Sequence, residues 1–169
     1  ISILPNYPDA HNNLGNAYKD LGNKDSAIES YEWSLAYQPE YVQAMINIGN
    51  IYSDYDHNVA IEYYEKAITI DPNKSESHFA LGSLLRYLGR KKDAIKSYEN
   101  AIEINPNFID AHKDLTTLKK YSKNDSQIKI MQSLLESKDL SEEEFVGLNY
   151  SLAKVNSDLN NLDEQIKFL

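Results

Sequence analysis

Cysteine is absent from the 169 residues. That excludes a disulfide framework, a thiolate nucleophile and any cysteine-based zinc site, and it leaves the redox compartment unreadable. Tryptophan occurs once and methionine twice. No apolar run approaches the roughly 20 residues that a membrane-spanning helix needs, so membrane insertion is not expected. Basic charge is also in deficit, with 17 Lys+Arg against 26 Asp+Glu and a net charge of −9. The basic clusters Arg90-Lys91-Lys92 and Lys119-Lys120 are short, and such a chain would be repelled by a phosphate backbone, so nucleic acid is not an expected partner. The opening Ile1-Ser2-Ile3-Leu4-Pro5 has neither the charged flank nor the apolar run of a signal peptide, and the chain is expected to be a piece of a longer protein. Cytoplasm is the favoured compartment, and a composition rich in Lys, Asn, Ile and Tyr points to bacteria.

What the chain does contain is a period. Leu14-Gly15-x-x-Tyr18 returns as Ile48-Gly49-x-x-Tyr52 and as Leu81-Gly82-x-x-Leu85, so the glycines step by 34 and then 33 residues. Pro5, Pro39, Pro72 and Pro106 keep the same step, as do Ala27-x-x-x-Tyr31, Ala60-x-x-x-Tyr64 and Ala94-x-x-x-Tyr98. Apolar residues within a unit recur at helical spacing, as in Leu14, Ala17, Tyr18 and Leu21, then Ala27, Ile28, Tyr31 and Leu35. Each unit therefore reads as two amphipathic helices. Gly22 and Gly89 suit left-handed caps at the end of the first helix, and the prolines cannot continue the second. A glycine inside a helix costs up to about 1 kcal/mol relative to alanine. Gly15, Gly49 and Gly82 accordingly predict close approach of a partner helix, with Ala27, Ala60 and Ala94 facing them. Tyr31, Tyr64 and Tyr98 are expected to fill the groove between successive hairpins with their hydroxyls hydrated at the rim, and Trp33 and the other tyrosines to pack between hairpins.

These markers resemble the tetratricopeptide repeat. The resemblance implies an all-α, right-handed superhelical solenoid of antiparallel helical hairpins. Its expected divisions are a tail of a preceding unit at 1–7, repeats at 8–41, 42–74 and 75–108, a degenerate fourth at 109–140, and degenerate, truncated helices at 141–169. The second unit replaces its glycine turn by Ser53-Asp54-Tyr55-Asp56-His57-Asn58, one residue short, which predicts a distorted turn. The fourth has Thr116 for glycine, Lys119 for tyrosine and Ile128 for alanine, so its packing must differ. Ser141 to Glu144 reads as a capping box that starts a new helix. That helix runs through Phe145, Leu148, Leu152 and Val155, and Leu152-Ala153-x-x-Asn156 followed by Asn160-Asn161 and Ile166 resembles a fifth, degenerate repeat that stops at Leu169.

Hairpins stacked in this way leave their first helices lining a concave surface, the default binding site of such an array. The positions that the resemblance places there are Asn12, Asn13, Asn16 and Lys19, then Asn47, Asn50 and Ser53, then Glu76, Phe79, Ser83, Arg86 and Tyr87. Asparagine offers both donor and acceptor, so a ladder of them suits the backbone of an extended peptide. The ladder is similar to that in the repeats of O-linked N-acetylglucosamine transferases, most of all in Pro8 to Asn16. The expected peptide contacts are Asn12, Asn13, Asn16, Lys19, Asn47, Asn50, Ser83 and Arg86. Some members of the family clamp the C-terminal carboxylate of chaperones with three basic and two Asn side chains. Asn16 and Asn47 fit that clamp, but the basic positions hold Asn12, Glu76 and Ala80, so a carboxylate would lack partners.

His11, His78 and His112 share one register. Packed helices stand about 9 to 10 Å apart, whereas zinc holds its ligands at about 2.1 Å, so packing rather than metal binding is expected. His57 falls in the shortened turn. No phosphate loop, catalytic triad or His-Glu-x-x-His motif is present, and the carboxylates Glu142 to Glu144 have a capping role. Catalytic residues, metal and cofactor are therefore expected to be none. The expected function is protein–protein interaction, with an extended peptide or partner helix on the concave face, and end-to-end self-association as a further partner reading. The alternative comes from Ala111 to Ser122, Ile128 to Leu135 and Leu152 to Leu159, which are similar to the region joining repeats to a sulfotransferase domain in some bacterial proteins. On that reading the array would dock substrates, or set oligomeric state, for a sulfotransferase or glycosyltransferase domain outside this chain.

Overall fold

The first helical hairpin shows how the local sequence sets its own boundaries. Helix α1 (Pro8–Asp20) ends where Gly22 takes φ +76°. The Asn23 amide then donates to the Tyr18 carbonyl at 2.9 Å and Gly22 to Lys19 at 2.9 Å, closing the helix in a Schellman motif. Asn23 at once caps α2 (Lys24–Tyr37), its side chain accepting the Ser26 amide at 3.2 Å. Gly22 has open space where a Cβ would stand, so Gly22→Ala tests backbone conformation alone. It is expected to lower stability by about 1 kcal/mol, read as a lower urea midpoint with an unchanged slope.

The computed structural model describes residues 8–137 and 140–160. Among these residues all regular structure is helical. The helices continue as α3 (Val42–Tyr52), α4 (His57–Ile70), α5 (Ser75–Tyr87), α6 (Lys91–Ile104), α7 (Ile109–Leu118), α8 (Ser126–Leu135) and α9 (Glu142–Asp158). Residues 1–7 and 161–169, which carry the expectations of a preceding tail and of the truncated end of a degenerate fifth repeat, lie outside the described residues. The chain divides into two compact units, 1–84 and 85–169, with the boundary inside α5.

In the first unit Ala27, Tyr31, Ala44, Ile48 and Ile51 form one buried cluster, and Met45, Ile46, Ala60, Tyr64, Ala67 and Leu84 another. Tyr31 and Tyr64 thus fill the grooves expected of them. The nearest neighbours of the helix glycines are aromatic rings. A Cβ on Gly15 would lie 2.4 Å from the Tyr31 ring and one on Gly49 2.6 Å from the Tyr64 ring. The glycines make room for tyrosine rings on the second helices of their own hairpins, the close approach of a partner helix expected there. The tyrosine hydroxyls are hydrogen-bonded to side chains, not left to water: Tyr31 donates to Asn16 Oδ1 at 2.8 Å and Tyr64 to Asn50 Oδ1 at 2.7 Å.

Trp33 also departs from expectation. It is 51% exposed and stacks against Tyr37, with His11 beside both rings, while Tyr87 and Tyr150 are exposed as well. The shortened turn is distorted as its length implies. No left-handed residue is used, and Tyr55 and Asp56 both donate to the Tyr52 carbonyl, at 3.1 and 2.8 Å, in a tight continuation of α3.

In the second unit Gly89 at φ +72° and the Arg90 to Leu85 bond at 2.9 Å repeat the Schellman closure before α6. The hairpin after it repacks. Thr116, at the glycine position, donates to the His112 carbonyl at 2.7 Å and meets the Tyr121 hydroxyl at 3.1 Å. Tyr121 donates to Gln127 Oε1 at 2.7 Å, and the Gln127 amide meets His112 Nδ1 at 3.1 Å. All four side chains are buried, and closing the chain of bonds satisfies groups that a dry core would otherwise penalise. Lys119, at the tyrosine position, pairs with Glu99 at 3.2 Å and Asp125 at 2.8 Å. Helix α9 begins in a full capping box between Ser141 and Glu144 and sends Leu148, Leu152 and Val155 into the core with Ile109, Tyr121 and Met131.

Candidate functional site

The polar face of α1 and α3 is organised around one amide. Asn47 Nδ2 donates to Asn12 Oδ1 at 2.9 Å and to Asn16 Oδ1 at 3.2 Å, and Gln43 Nε2 approaches Asn47 Oδ1 at 3.4 Å. Asn12 and Asn47 are only 4% and 6% exposed. Both were expected on the open face; the structure places them beneath it, where each satisfies the other and ties α1 to α3. A buried amide pair is held this way because either group alone would be desolvated without a partner.

Above this pair sit the residues that reach solvent. Asn13, Lys19 and Asn50 are exposed and Asn16 is half-buried. Asn16 Oδ1 receives both the Tyr31 hydroxyl and the Asn47 amide, which uses its two lone pairs. The Asn50 oxygen receives the Tyr64 hydroxyl. Each carboxamide is therefore fixed oxygen-inward, and its NH2 is the end left to offer. Burial, with a smaller push from Asp20, raises the Tyr31 phenol to about 12, and burial raises Tyr64 to about 12, so both stay protonated donors. This tyrosine-to-asparagine tie is not among the sequence expectations. Its signal was available: an Asn directly follows the helix glycine in Gly15-Asn16 and Gly49-Asn50 and nowhere else in the matched units.

The third hairpin breaks the pattern. Ser83 follows Gly82 there and is half-buried on α5. Tyr98 instead donates to Asp114 Oδ2 at 3.1 Å and accepts from Arg86 Nε at 3.2 Å. Arg86 also pairs with Asp114 at 3.4 Å. Burial alone would lower the Arg86 value, but Tyr98 and Asp114 outweigh it and the net shift is upward. Arg86 is thus a cation held by its own chain.

His78 and His112 use their shared register for packing. Nε2 of each lies against the proline carbonyl six residues earlier, His78 on Pro72 at 3.0 Å and His112 on Pro106 at 2.8 Å. Among the described residues no three His, Asp or Glu side chains gather as metal ligands, and no helix is long and apolar enough to cross a membrane.

The tetratricopeptide repeat pattern matches residues 8–41 and 75–108 in one form and 42–74 in another. The chain belongs to the tetratricopeptide repeat family. The small glutamine-rich tetratricopeptide repeat-containing protein 2 of Mycosarcoma maydis is 28% identical over 74 residues, covering 43% of this chain. The chain spans about a fifth of that relative's length, the matched share being 21%. Among solved structures, MamA is similar over 95% of this chain and 87% of its own, at 24% identity and a TM-score of 0.69. The first repeat domain of Spaghetti, bound to the HSP90 peptide SRMEEVD, is similar over 75% of this chain and 94% of its own, at 23% identity and a TM-score of 0.62. These likenesses establish the fold, an all-α solenoid of helical hairpins. Repeats of this family are protein-interaction modules, and this chain is one of them.

Proposed function

We propose that the open face of α1 and α3 captures an extended segment of a partner protein through its backbone carbonyls. The observation that carries this reading is the fixed polarity of Asn16 and Asn50. Tyrosine hydroxyls occupy both oxygens, so two amide donors on neighbouring first helices are set outward before any ligand arrives. Preorganised donors bind with less ordering cost than free ones, and a backbone carbonyl presents the same acceptor whatever the side chain. Asn13 and Lys19 extend the same face, with Asn12 and Asn47 as its support.

An acidic chain terminus is not the ligand that this face favours. Asn16 and Asn47 stand where a carboxylate clamp has asparagines, but Asn12, Glu76 and Ala80 stand at its basic positions. Ser83 and Arg86, the remaining expected contacts, are not used by this reading, and Arg86 is engaged with Asp114. If the array precedes a sulfotransferase or glycosyltransferase domain, the same donors would hold the protein substrate.

The test replaces donors while keeping the acceptors. In the Asn16→Asp, Asn50→Asp double variant each tyrosine hydroxyl keeps an oxygen to bond, while the outward NH2 is gone. Pooled extended peptides titrated into the labelled chain are expected to shift α1 and α3 amides saturably. The double variant is expected to bind at least about tenfold more weakly, the loss of roughly one good hydrogen bond, with its thermal midpoint little changed. Equal binding by the variant, or shifts confined elsewhere, would overturn backbone capture here.

A further inference from the structure

The second hairpin differs from its neighbours along one edge. Tyr55 stands in the shortened turn, and Tyr63 occupies the register that Ser30 and Ser97 hold in the other matched units. Tyr52 closes α3 beside them. The Tyr52 and Tyr63 rings are stacked, with centroids 6.2 Å apart and planes 6° apart, and Tyr55 lies against Tyr52 at 5.1 Å. Tyr55 is 55% exposed, which makes it an aromatic face open to a partner.

Carboxylates ring this cluster. Asp25 and Asp54 act on Tyr55, and Glu32 and Glu62 on Tyr63; together with burial, the larger cause in each case, they raise both phenols. Two of the chain's own cations have settled in the same field. Lys66 Nζ stands 5.2 Å from the centre of the Tyr63 ring. Lys24 pairs with Asp54 at 2.5 Å, with both side chains about half exposed. Four carboxylates thus face two ammonium groups, in a chain whose net charge is −9. An ion pair this exposed is weakly held and readily exchanged.

We propose that this edge receives an arginine side chain of a basic partner segment, the guanidinium lying on Tyr55 and pairing with Asp54 in place of Lys24. A planar, weakly hydrated guanidinium can lie flat on a tyrosine ring and offer a bidentate fork to a carboxylate at its edge, a geometry that a point-charge ammonium group matches less well. The surface shares no residue with the asparagine face, so the two readings stand or fall separately.

The experiment is a proton–nitrogen NMR titration of the 169-residue chain with a short Gly/Ser peptide carrying two arginines. Matched peptides carry citrulline or lysine at those positions. Saturable shifts at Asp54, Tyr55 and Tyr63 are expected, with the arginine peptide binding about tenfold more tightly than the citrulline one. Tyr55→Ala and Asp54→Asn should each weaken binding several-fold, and because both residues are exposed the circular dichroism of each variant should match the parent. Equal affinity for citrulline, shifts elsewhere, or indifference to Tyr55→Ala would overturn the site. A lysine peptide that binds as tightly as the arginine one would overturn the assignment to arginine.

Discussion

Replacing Tyr64 by alanine is expected to lower stability by about 3–5 kcal/mol, the range for deleting a buried aromatic ring. Tyr64 is 2% exposed, sits in the core cluster with Met45, Ile46, Ala60 and Leu84, and presses its ring on Gly49. Tyr64→Phe keeps the ring and removes the hydroxyl with its bonds to Asn50 and Ser53, so about 1–2 kcal/mol should be lost. The comparison separates shape from hydrogen bonding at one position. Gly49→Ala probes the same contact from the other side. Its Cβ would stand 2.6 Å from Tyr64 Cε1, an overlap expected to cost about 1–3 kcal/mol, against the gain of up to about 1 kcal/mol in helix propensity. In a Tyr64→Ala background the overlap is gone and Gly49→Ala should become neutral or stabilising. Urea unfolding of the four chains tests this. An effect of Gly49→Ala that is the same in the parent and in the Tyr64→Ala background would refute the ring-on-glycine account.

Replacing His112 by alanine is expected to cost on the order of 3 kcal/mol, because it opens a cavity and also strands two polar partners. His112 is wholly buried between the Pro106 carbonyl at Nε2 and the Gln127 amide at Nδ1. This arrangement uses the neutral ring, one nitrogen donating and the other accepting. Protonation would turn Nδ1 into a donor facing a donor. Burial lowers the His112 pKa below its usual 6.5, and the Pro106 carbonyl opposes that shift only in part.

The consequence for pH has a definite sign. Well above 6.5 the ring is neutral both folded and unfolded, and the stability is fully present. As pH falls below that value the unfolded chain takes up the proton first, so stability declines until the lower folded value is reached. Asp158 acts in a lower window. Burial would raise it, but Lys154 and the Tyr121 amide outweigh burial and hold it below the ordinary 3.8. A pH series of unfolding free energies should therefore show a loss between pH 7 and 5 that shrinks in His112→Asn, while the loss below pH 4 persists. A slope unchanged by His112→Asn would sink the assignment.

The repeat period made the hairpins legible from residues alone. Glycine and proline fix backbone dihedrals locally, so Gly22, Gly89, Pro39, Pro72 and Pro106 mark helix ends wherever the rest of the chain goes, and the capping box at Ser141 and Glu144 is likewise a local matter. The periodic apolar faces named the core tyrosines Tyr31 and Tyr64 for the same reason. Three-dimensional packing decided the rest. Whether a helix glycine faces an alanine or a ring depends on the rotamer and depth of a tyrosine fifteen or sixteen residues away, which spacing does not encode. Asn12 and Asn13 are adjacent and chemically identical, yet one is buried against Asn47 and the other faces water, because one residue step turns a helix by about 100°. The sequence determined which side chains could line the face. Only the tertiary structure decided which way each amide points, because a carboxamide turns its oxygen toward the donor that packing brings to it.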